Sequence, residues 1–299
     1  MSHEPQAKAR VAVIGAGTMG KAIAGTFAQG GIPTILVSRD PSRAGLVETG
    51  VELVSELPRD PPCMIVEAVP EEMQLKIGVF LSVERLYGAS LPVMASNTSG
   101  LPLQEIADRL ERPDRFLGIH WFHPAGALPL VETVRVAQTS DESLSVALDL
   151  LAATGRDSLV VPRPVPGAVV NRLQHAILHE AYHLMSEGLA GPQDIDRAAR
   201  WLLGPRMCVS GLIEQKDLGG LTGHILAQRT IVPDLCHDPA PNADVQAMLA
   251  RGETGAKAGR GFYDWTGRDA PGAIENAARR LRELIAYLRD FQTGQTDDR

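Results

Sequence analysis

The chain has 299 residues, a hydrophobic content of 44% and a formal net charge of −7, because 29 Lys and Arg stand against 36 Asp and Glu. This length can build a sizeable core and favours two domains, while an acidic balance without a basic block argues against nucleic acid as a partner. No apolar stretch has membrane-spanning length, and the N-terminus has no basic region followed by an apolar segment. We therefore expect a cytoplasmic protein without membrane contact.

The first predicted element is a strand that runs through a Gly-rich turn into a helix, Val11-Ala-Val-Ile-Gly-Ala-Gly-Thr-Met-Gly20. The first glycine allows the turn, the second lets the backbone approach a pyrophosphate, and the third permits close packing of helix on strand. The helix N-terminus offers free N–H donors to an anion. This pattern predicts a dinucleotide site rather than glycines that only mark a surface turn. The coenzyme contacts assigned to it are Gly15, Gly17, Thr18, Met19 and Gly20.

The end of the second strand, at 34–38, distinguishes NAD from NADP. An acidic residue there binds the ribose 2′-hydroxyl, whereas a small polar residue followed by Arg suits a 2′-phosphate. This chain has Ser38 and Arg39, while Asp40 precedes Pro41 and is expected to cap the next helix. The sequence therefore favours NADP(H) over NAD(H), with Arg39 and Arg43 as the phosphate ligands. The alternative is that both arginines are solvated charges.

Cysteine use favours reduced thiols. Cys63, Cys208 and Cys236 are scattered along the chain and lack metal-ligand spacing. Cys63 opens the apolar run Cys-Met-Ile-Val and is predicted to lie in the core.

Strands and helices alternate to about residue 162, and helices follow. The patterns predict strands at 11–14, 34–38, 63–69, 92–95, 116–120, 130–136 and 158–161. They predict helices at 17–29, 72–86, 101–110, 141–154, 168–188, 193–203 and 272–292. The breaker cluster Pro162-Arg-Pro-Val-Pro-Gly167 marks the boundary. We expect an α/β Rossmann-like doubly wound sheet over residues 1–164 and a smaller all-α C-terminal domain over 165–299.

A base and its carboxylate follow the dinucleotide pattern. His120 and Glu132 stand twelve residues apart, and a strand–turn–strand return would bring them together. Oxidation of a secondary alcohol requires that a proton leave oxygen as hydride leaves carbon, and His accepts that proton near neutral pH. The carboxylate would fix the imidazole tautomer, while Ser99 and Asn171 could donate hydrogen bonds to the oxygen. Each of these residues alone also has an ordinary structural reading, as a loop, capping or helix residue.

Six motifs, in order along most of the chain, resemble the signatures of the 3-hydroxyacyl-CoA dehydrogenase family. They are Glu67-Ala-Val-Pro-Glu71, Ser96-Asn-Thr-Ser99, Gly118-Ile-His-Trp-Phe-His-Pro124, Leu130-Val-Glu132, Pro166-Gly-Ala-Val-Val-Asn-Arg172 and Gly259-Arg-Gly-Phe-Tyr263. The resemblance implies that His120 is the catalytic base, Glu132 its partner, and Ser99 and Asn171 the groups around the reacting oxygen. It implies that the helical domain forms a homodimer, and it places at the coenzyme Ala68, Val69, Glu71, Lys76 and Asn97.

Two departures from the family pattern concern the substrate. His123 stands where the family usually has Asn, so a group assigned to substrate binding with Ser99 and Asn171 is changed. It could recognise a carboxylate or pack against Pro124. In addition, only some twenty residues separate Asp40 from the next predicted strand, where CoA-using members carry a long helical insertion. A carrier-protein thioester or a small free hydroxy acid therefore competes with a CoA thioester.

The chain also contains the sequence His179-Glu-Ala-Tyr-His183, preceded by His175. This spacing places the rings on one helix face, where two could bind zinc. The match lies inside the predicted helix 168–188 without a convincing third ligand, so we expect no metal there and assign these rings to helix packing.

The sequence thus predicts an NAD(P)-dependent oxidoreductase that interconverts a 3-hydroxyacyl and a 3-oxoacyl substrate, with His120 as general acid and base. One alternative is a dehydrogenase of a small free 3-hydroxy acid or polyol acid on the same fold. An alternative of another class is a catalytically silent protein that binds or senses the nucleotide.

Overall fold

A computed structural model describes the backbone of residues 10–293 and the side chains as far as Phe291. Residues 1–9, in whose sequence no signal peptide is predicted, and residues 294–299 lie outside the described residues. The chain divides into two compact units, the first ending at Arg172 and the second beginning at Leu173. None of the described helices is both long enough and apolar enough to cross a membrane.

The first unit is built on an eight-stranded sheet of order β3-β2-β1-β4-β5-β6-β7-β8. Its strands are β1 Val11–Ile14, β2 Thr34–Val37, β3 Val51–Val54, β4 Met64–Glu67, β5 Val93–Ser96, β6 Phe116–His120, β7 Leu130–Arg135 and β8 Asp157–Val161. All neighbouring strands pair parallel except β6 and β7, which pair antiparallel. The strand order reverses at β1 and β4, whose carboxyl ends form the crevice where such sheets bind nucleotides.

Helices cover both faces of this sheet. They are α1 Thr18–Gln29, α2 Met73–Tyr87, α3 Leu103–Ala107 and α4 Asp141–Ala153, and α5 Val170–Ser186 begins at the end of this unit. Apolar side chains of α1 and α4, such as Phe27 and Leu151, join one buried cluster with Val11 and Val13. Those of α2 and α3 join the cluster on the opposite face, which contains Ala12 of β1. The alternation of β1 residues between two buried faces explains its continuous apolar sequence. The predicted doubly wound α/β fold is confirmed.

One strand of this unit was not predicted, and two expectations were wrong. The edge strand β3 was not predicted, because its four residues Val-Glu-Leu-Val give too short a pattern between turn residues. Cys63 is exposed and not in the core, because β4 begins one residue later at Met64. The helix predicted at 101–110 is only Leu103–Ala107, because Pro102 immediately precedes its start.

The second unit is helical. After α5 come α6 Pro192–Ala198, α7 Gly204–Ser210, α8 Glu214–Gly219, α9 Leu221–Ile231, α10 Ala243–Ala250 and α11 Ala270–Thr293. A π-helical turn, Ala199–Leu203, joins α6 to α7, so the predicted helix 193–203 continues beyond its expected end. Within the described part of this unit only Ala181 and Ala270 are buried, whereas large apolar side chains are widely exposed, with Trp201 at 75%.

Candidate active site

The turn after β1 has the geometry that the glycine pattern predicts. Gly15 has φ +111°, and a Cβ there would lie 2.6 Å from the carbonyl oxygen of Ala68. A Cβ on Gly20 would lie 1.7 Å from the Gly15 oxygen. A Cβ on Gly17, by contrast, would have no described heavy atom within 4 Å. Gly17 also provides no side-chain cap for α1. Two glycines are thus required by packing, and the third leaves open space before the uncapped amides of Thr18 and the residues after it, as a pyrophosphate requires.

The end of β2 carries the residues expected to select the coenzyme. Asp40 caps the turn Pro41–Arg43 by accepting a hydrogen bond from the Ser42 N–H, which confirms its predicted capping role. The Arg43 guanidinium lies 3.2 Å from the Asp40 carboxylate and is engaged there. Arg39 is exposed, and the structure records no hydrogen bond or ion pair for its guanidinium within residues 10–293. Arg39 is therefore the cation at this strand end that is available to a ligand.

His120 and Glu132 face each other across the antiparallel pair of β6 and β7. The two residues are partners in the strand register, and Nδ1 of His120 lies 3.0 Å from Oε2 of Glu132. His120 is 7% exposed and Glu132 is fully buried. Since the carboxylate accepts a hydrogen bond, Nδ1 carries the proton, and Nε2 of the neutral ring has the free electron pair of a general base.

The second oxygen of Glu132 ties this pair to the start of α5. Its Oε1 accepts hydrogen bonds from the backbone N–H groups of Val169 and Val170, both at 2.8 Å. The buried carboxylate thus accepts hydrogen bonds from three donors, as a buried polar group requires. Asn171, the next residue along the chain, is half-buried. Glu132 thereby anchors both the base and the helix turn that carries Asn171.

A buried ion pair stands at the carboxyl end of β4. Lys76 of α2 is 1% exposed and its Nζ lies 2.7 Å from Oε1 of the fully buried Glu67. The same Glu67 oxygen accepts from the Val69 N–H, and Oε2 accepts from the Ser96 hydroxyl, each at 2.7 Å. These bonds fix the turn that contains Ala68 and Val69 beside Gly15. Four of the residues that the resemblance places at the coenzyme, Ala68, Val69, Glu71 and Lys76, therefore belong to one connected group.

Glu71 links that pair to the turn after β5. Its Oε2 lies 3.3 Å from Nζ of Lys76, while Oε1 accepts hydrogen bonds from the Thr98 hydroxyl and the N–H groups of Ser99 and Gly100. Partial burial raises the pKa of Glu71, but these hydrogen bonds and the charge of Lys76 outweigh it and leave the pKa below its ordinary value. Glu71 is therefore ionised at neutral pH.

The remaining predicted residues differ in how closely the structure ties them to this site. Asn97 accepts a hydrogen bond at 3.0 Å from the N–H of Trp121, the residue that directly follows His120 and the end of β6. It therefore braces the base. Ser99 and His123 have exposed side chains. The structure records no contact between either side chain and the His120–Glu132 pair within the described residues.

The histidines of α5 have another surrounding. His179 Nε2 lies 3.3 Å from Sγ of Cys236, whose N–H donates to Glu180 at 2.9 Å. His175 is exposed. No group of three or more His, Cys, Asp or Glu side chains in the described part of the chain is arranged to hold a metal ion.

Sequence reasoning did not find Glu67 and Thr98 as site residues. A signal for Glu67 was present, because a carboxylate that ends a wholly apolar strand must be paired, and a Lys follows nine residues later. No local pattern distinguishes Thr98 from an ordinary turn residue. The capture of Glu132 by the amides of Val169 and Val170 likewise joins residues nearly forty positions apart and leaves no local trace.

The chain matches the models of two protein-family domains. Residues 10–58 and 62–164 match "3-hydroxyacyl-CoA dehydrogenase, NAD binding domain". Residues 167–265 match "3-hydroxyacyl-CoA dehydrogenase, C-terminal domain". Together the two matches cover most of the chain, including every residue of the candidate site.

The names of similar proteins indicate different substrates. A 5-formyl-3-hydroxy-2-methylpyridine 4-carboxylate 5-dehydrogenase of Mesorhizobium japonicum is 28% identical over 93% of this chain and 97% of its own length. The human mitochondrial hydroxyacyl-coenzyme A dehydrogenase is 32% identical over 68% of this chain and 63% of its own length. A crystal structure of a 5-dehydrogenase of the pyridine carboxylate, described as an NAD⁺-dependent dismutase, superposes with a TM-score of 0.86 at 26% identity, covering 94% of this chain and 98% of that one.

Proposed function

This chain belongs to the 3-hydroxyacyl-CoA dehydrogenase family of NAD-dependent oxidoreductases, and we propose that it oxidises the hydroxyl-bearing carbon of a small free hydroxy acid, or reduces the corresponding oxo acid. The observation that carries this proposal is the buried His120–Glu132 pair at 3.0 Å, with Nε2 of the ring left as the free base. A catalytically silent nucleotide sensor would not need a buried histidine whose Nδ1 is held by a buried carboxylate while Nε2 remains available.

His120 moves the proton. In oxidation, Nε2 accepts the proton of the substrate hydroxyl as the hydride leaves the adjacent carbon, and the ring becomes an imidazolium. Glu132 stabilises that charge through Nδ1 and does not itself take the proton. In reduction, the same imidazolium returns its proton to the nascent alkoxide. The hydroxyl of Ser99 and the amide of Asn171 are assigned to the same oxygen, where they would donate hydrogen bonds.

The coenzyme would bind across the carboxyl ends of β1 and β4. A nicotinamide dinucleotide supplies the hydride acceptor when bound. The first-turn amides of α1 would hold its pyrophosphate, supported by the open space at Gly17. The finer preference for NADP(H) over NAD(H) rests on Ser38 and on the unengaged Arg39, which suit a 2′-phosphate. The NAD⁺-dependent structural relative gives a reason to measure both coenzymes.

A free acid is favoured over a CoA thioester as the substrate. Between Ala44 and Cys63, where the CoA-using members have a helical insertion, the only regular element in this chain is β3, Val51–Val54. The relative that aligns over 97% of its length is named for a pyridine carboxylate, which carries no CoA. The exposed His123 could pair with such a carboxylate.

A 3-hydroxyacyl group on CoA or on an acyl carrier protein is the second candidate. The description of the matched family, which names a 3-hydroxyacyl-CoA dehydrogenase over both domains, is the observation that supports this candidate. The panel that separates the two candidates contains free 3-hydroxybutyrate, a hydroxymethylpyridine carboxylate, and 3-hydroxybutyryl groups on CoA, on acyl carrier protein and on a pantetheine mimic. We expect reduction of NADP⁺ or NAD⁺ with a free acid. Turnover only with a carrier would select the second candidate, and nucleotide binding without any turnover would favour the sensor.

A second copy of this chain is the proposed protein partner. Of the 26 large hydrophobic residues that are exposed in the structure, 21 lie in the second unit. A unit with so few buried side chains lacks the core that a domain of its size needs. Burial of these surfaces against an identical unit would supply that core, as in obligate homodimers. The cytoplasmic location stays a prediction.

A further inference from the structure

One oxygen of Glu71 receives three hydrogen bonds from one short stretch of chain. The Thr98 hydroxyl donates to Oε1 at 2.5 Å, and the N–H groups of Ser99 and Gly100 donate at 3.0 Å each. Thr98 in turn accepts a hydrogen bond at 3.0 Å from the N–H of Leu101. The residues 98–101, which we name the Ser99 turn, are thus closed around a single carboxylate.

The other side of Glu71 is held from the protein interior. Its Oε2 lies 3.3 Å from Nζ of Lys76, and Lys76 is itself fixed at 2.7 Å by Glu67. Lys76 and Glu67 are both buried, whereas the Glu71 side chain is 44% exposed. A buried lysine with this pairing cannot relocate without leaving a carboxylate unpaired. The position of Glu71 is therefore set by the sheet and α2 and not by solvent.

The charge of Glu71 suits this arrangement. A carboxylate is an acceptor only, and hydrogen bonds to an ionised group are stronger than those between neutral groups. The three hydrogen bonds therefore hold the Ser99 turn against the Glu71 carboxylate. Without this acceptor, the Ser99 turn would keep only the bond from Leu101 to Thr98 among the hydrogen bonds that the structure records for its residues.

We propose that Glu71 is a positioning residue for the substrate side of the site, which holds the Ser99 turn so that the Ser99 hydroxyl is presented to the reacting oxygen. The resemblance assigns Glu71 to the coenzyme, and its contacts with Lys76 and the Ser99 turn would add this second role. This inference rests on the proposed function for the role of Ser99, while the hydrogen bonds from the Ser99 turn to Glu71 do not depend on it.

The test uses two variants that remove a contact and two matched control variants, all in the full-length protein. Glu71→Ala removes the acceptor, and Thr98→Val removes one donor while leaving the Glu71 charge in place. Thr98→Ser keeps the hydroxyl, and Glu72→Ala removes the neighbouring carboxylate, which makes no capping bond to α2. Three quantities are measured for each variant: amide hydrogen exchange at Ser99 and Gly100, the Kd for NADP⁺ and NAD⁺, and KM and kcat for the best substrate of the panel.

We expect Glu71→Ala and Thr98→Val to accelerate amide hydrogen exchange at Ser99 and Gly100 by about fivefold, which is the effect of one lost hydrogen bond. We expect a rise in substrate KM of similar size in both variants and a coenzyme Kd within about twofold of the wild type in Thr98→Val. Thr98→Ser should restore slow exchange at Ser99 and Gly100, and Glu72→Ala should leave exchange and KM unchanged. The inference would be overturned if Glu71→Ala bound the coenzyme more weakly while exchange and KM stayed unchanged in both Glu71→Ala and Thr98→Val. Amide exchange and coenzyme binding can be measured without turnover. They therefore show whether Glu71 holds the Ser99 turn even if the proposed function is wrong.

Discussion

At the scale of single residues, a small change of the Glu132 side chain is expected to lower both activity and stability. Its two oxygens accept one hydrogen bond from His120 and two from the start of α5, without exposure to water. In Glu132→Gln one oxygen becomes an NH₂ group that must face a donor. We expect kcat to fall by about 100-fold or more, because the imidazole loses its orientation and its counter-charge. We also expect the free energy of unfolding to fall by about 2–4 kcal/mol.

Steady-state kinetics and denaturant unfolding measure these two effects. Glu52→Gln is the control, because Glu52 is an exposed carboxylate of β3 in the same unit. Should Glu132→Gln keep wild-type kcat, His120 would need no partner and the assigned pair would be wrong.

The coenzyme preference also depends on one residue. Arg39 is unengaged in the described structure, whereas Arg43 is paired with Asp40 at 3.2 Å. We expect Arg39→Ala to raise the Kd for NADPH about tenfold, the loss of one charge-assisted hydrogen bond, and to leave the Kd for NADH unchanged. Arg43→Ala is the matched control and should change the NADPH Kd less. Fluorescence titration of both coenzymes would contradict the NADP(H) preference if the Arg39 variant binds NADPH as the wild type does.

At the scale of elements, the glycines of the first strand, turn and helix separate packing from binding. A Cβ on Gly20 would lie 1.7 Å from a backbone oxygen, whereas a Cβ on Gly17 meets no described atom. We expect Gly20→Ala to lower the free energy of unfolding by about 1–3 kcal/mol or more. Gly17→Ala should keep its stability and lose coenzyme affinity, because the methyl group occupies the approach of the pyrophosphate.

Thermal unfolding and coenzyme titration of the two variants give the comparison. Equal losses of stability in both variants would mean that the open space at Gly17 is a packing feature and not a ligand site.

The sequence predicted most elements of the first unit because their patterns are local. A buried strand such as β1 and an amphipathic helix such as α1 are visible in ten to fifteen residues. The edge strand β3 was missed, since four residues of mixed polarity acquire their structure from pairing with β2. Cys63 was placed in the core because an apolar run does not show at which residue burial starts.

The candidate site was predictable to the extent that it repeats a known order of motifs. His120 and Glu132 were paired in advance by the expected strand return, and the antiparallel register of β6 and β7 shows that return. The contacts of Glu132 with α5 and of Glu71 with the Ser99 turn were not predictable. They join backbone N–H groups to distant carboxylates, and any sequence provides such donors at that position.

At the scale of the whole molecule, the second unit predicts self-association. Ile225 in α9 is 49% exposed, and we expect it to lie in the interface between two copies. Ile225→Asp should then shift the protein from dimer to monomer or lower its stability in a concentration-dependent way, because a charge would be buried without a partner. Leu46→Asp is the matched control, since Leu46 is almost fully exposed in the first unit. A wild-type protein that sediments as a monomer would contradict the proposed homodimer.

The proposed chemistry lies in the first unit, where a base on the sheet would work beside a dinucleotide bound at the same sheet edge. The most direct measurement is turnover of wild-type protein and His120→Gln with the active member of the substrate panel, alongside coenzyme titration of both. We predict a fall in turnover of about 10²–10⁴-fold with coenzyme affinity unchanged, because only proton transfer is removed. Wild-type turnover in His120→Gln would contradict the assignment of His120 as the base and would mean that another residue accepts the proton.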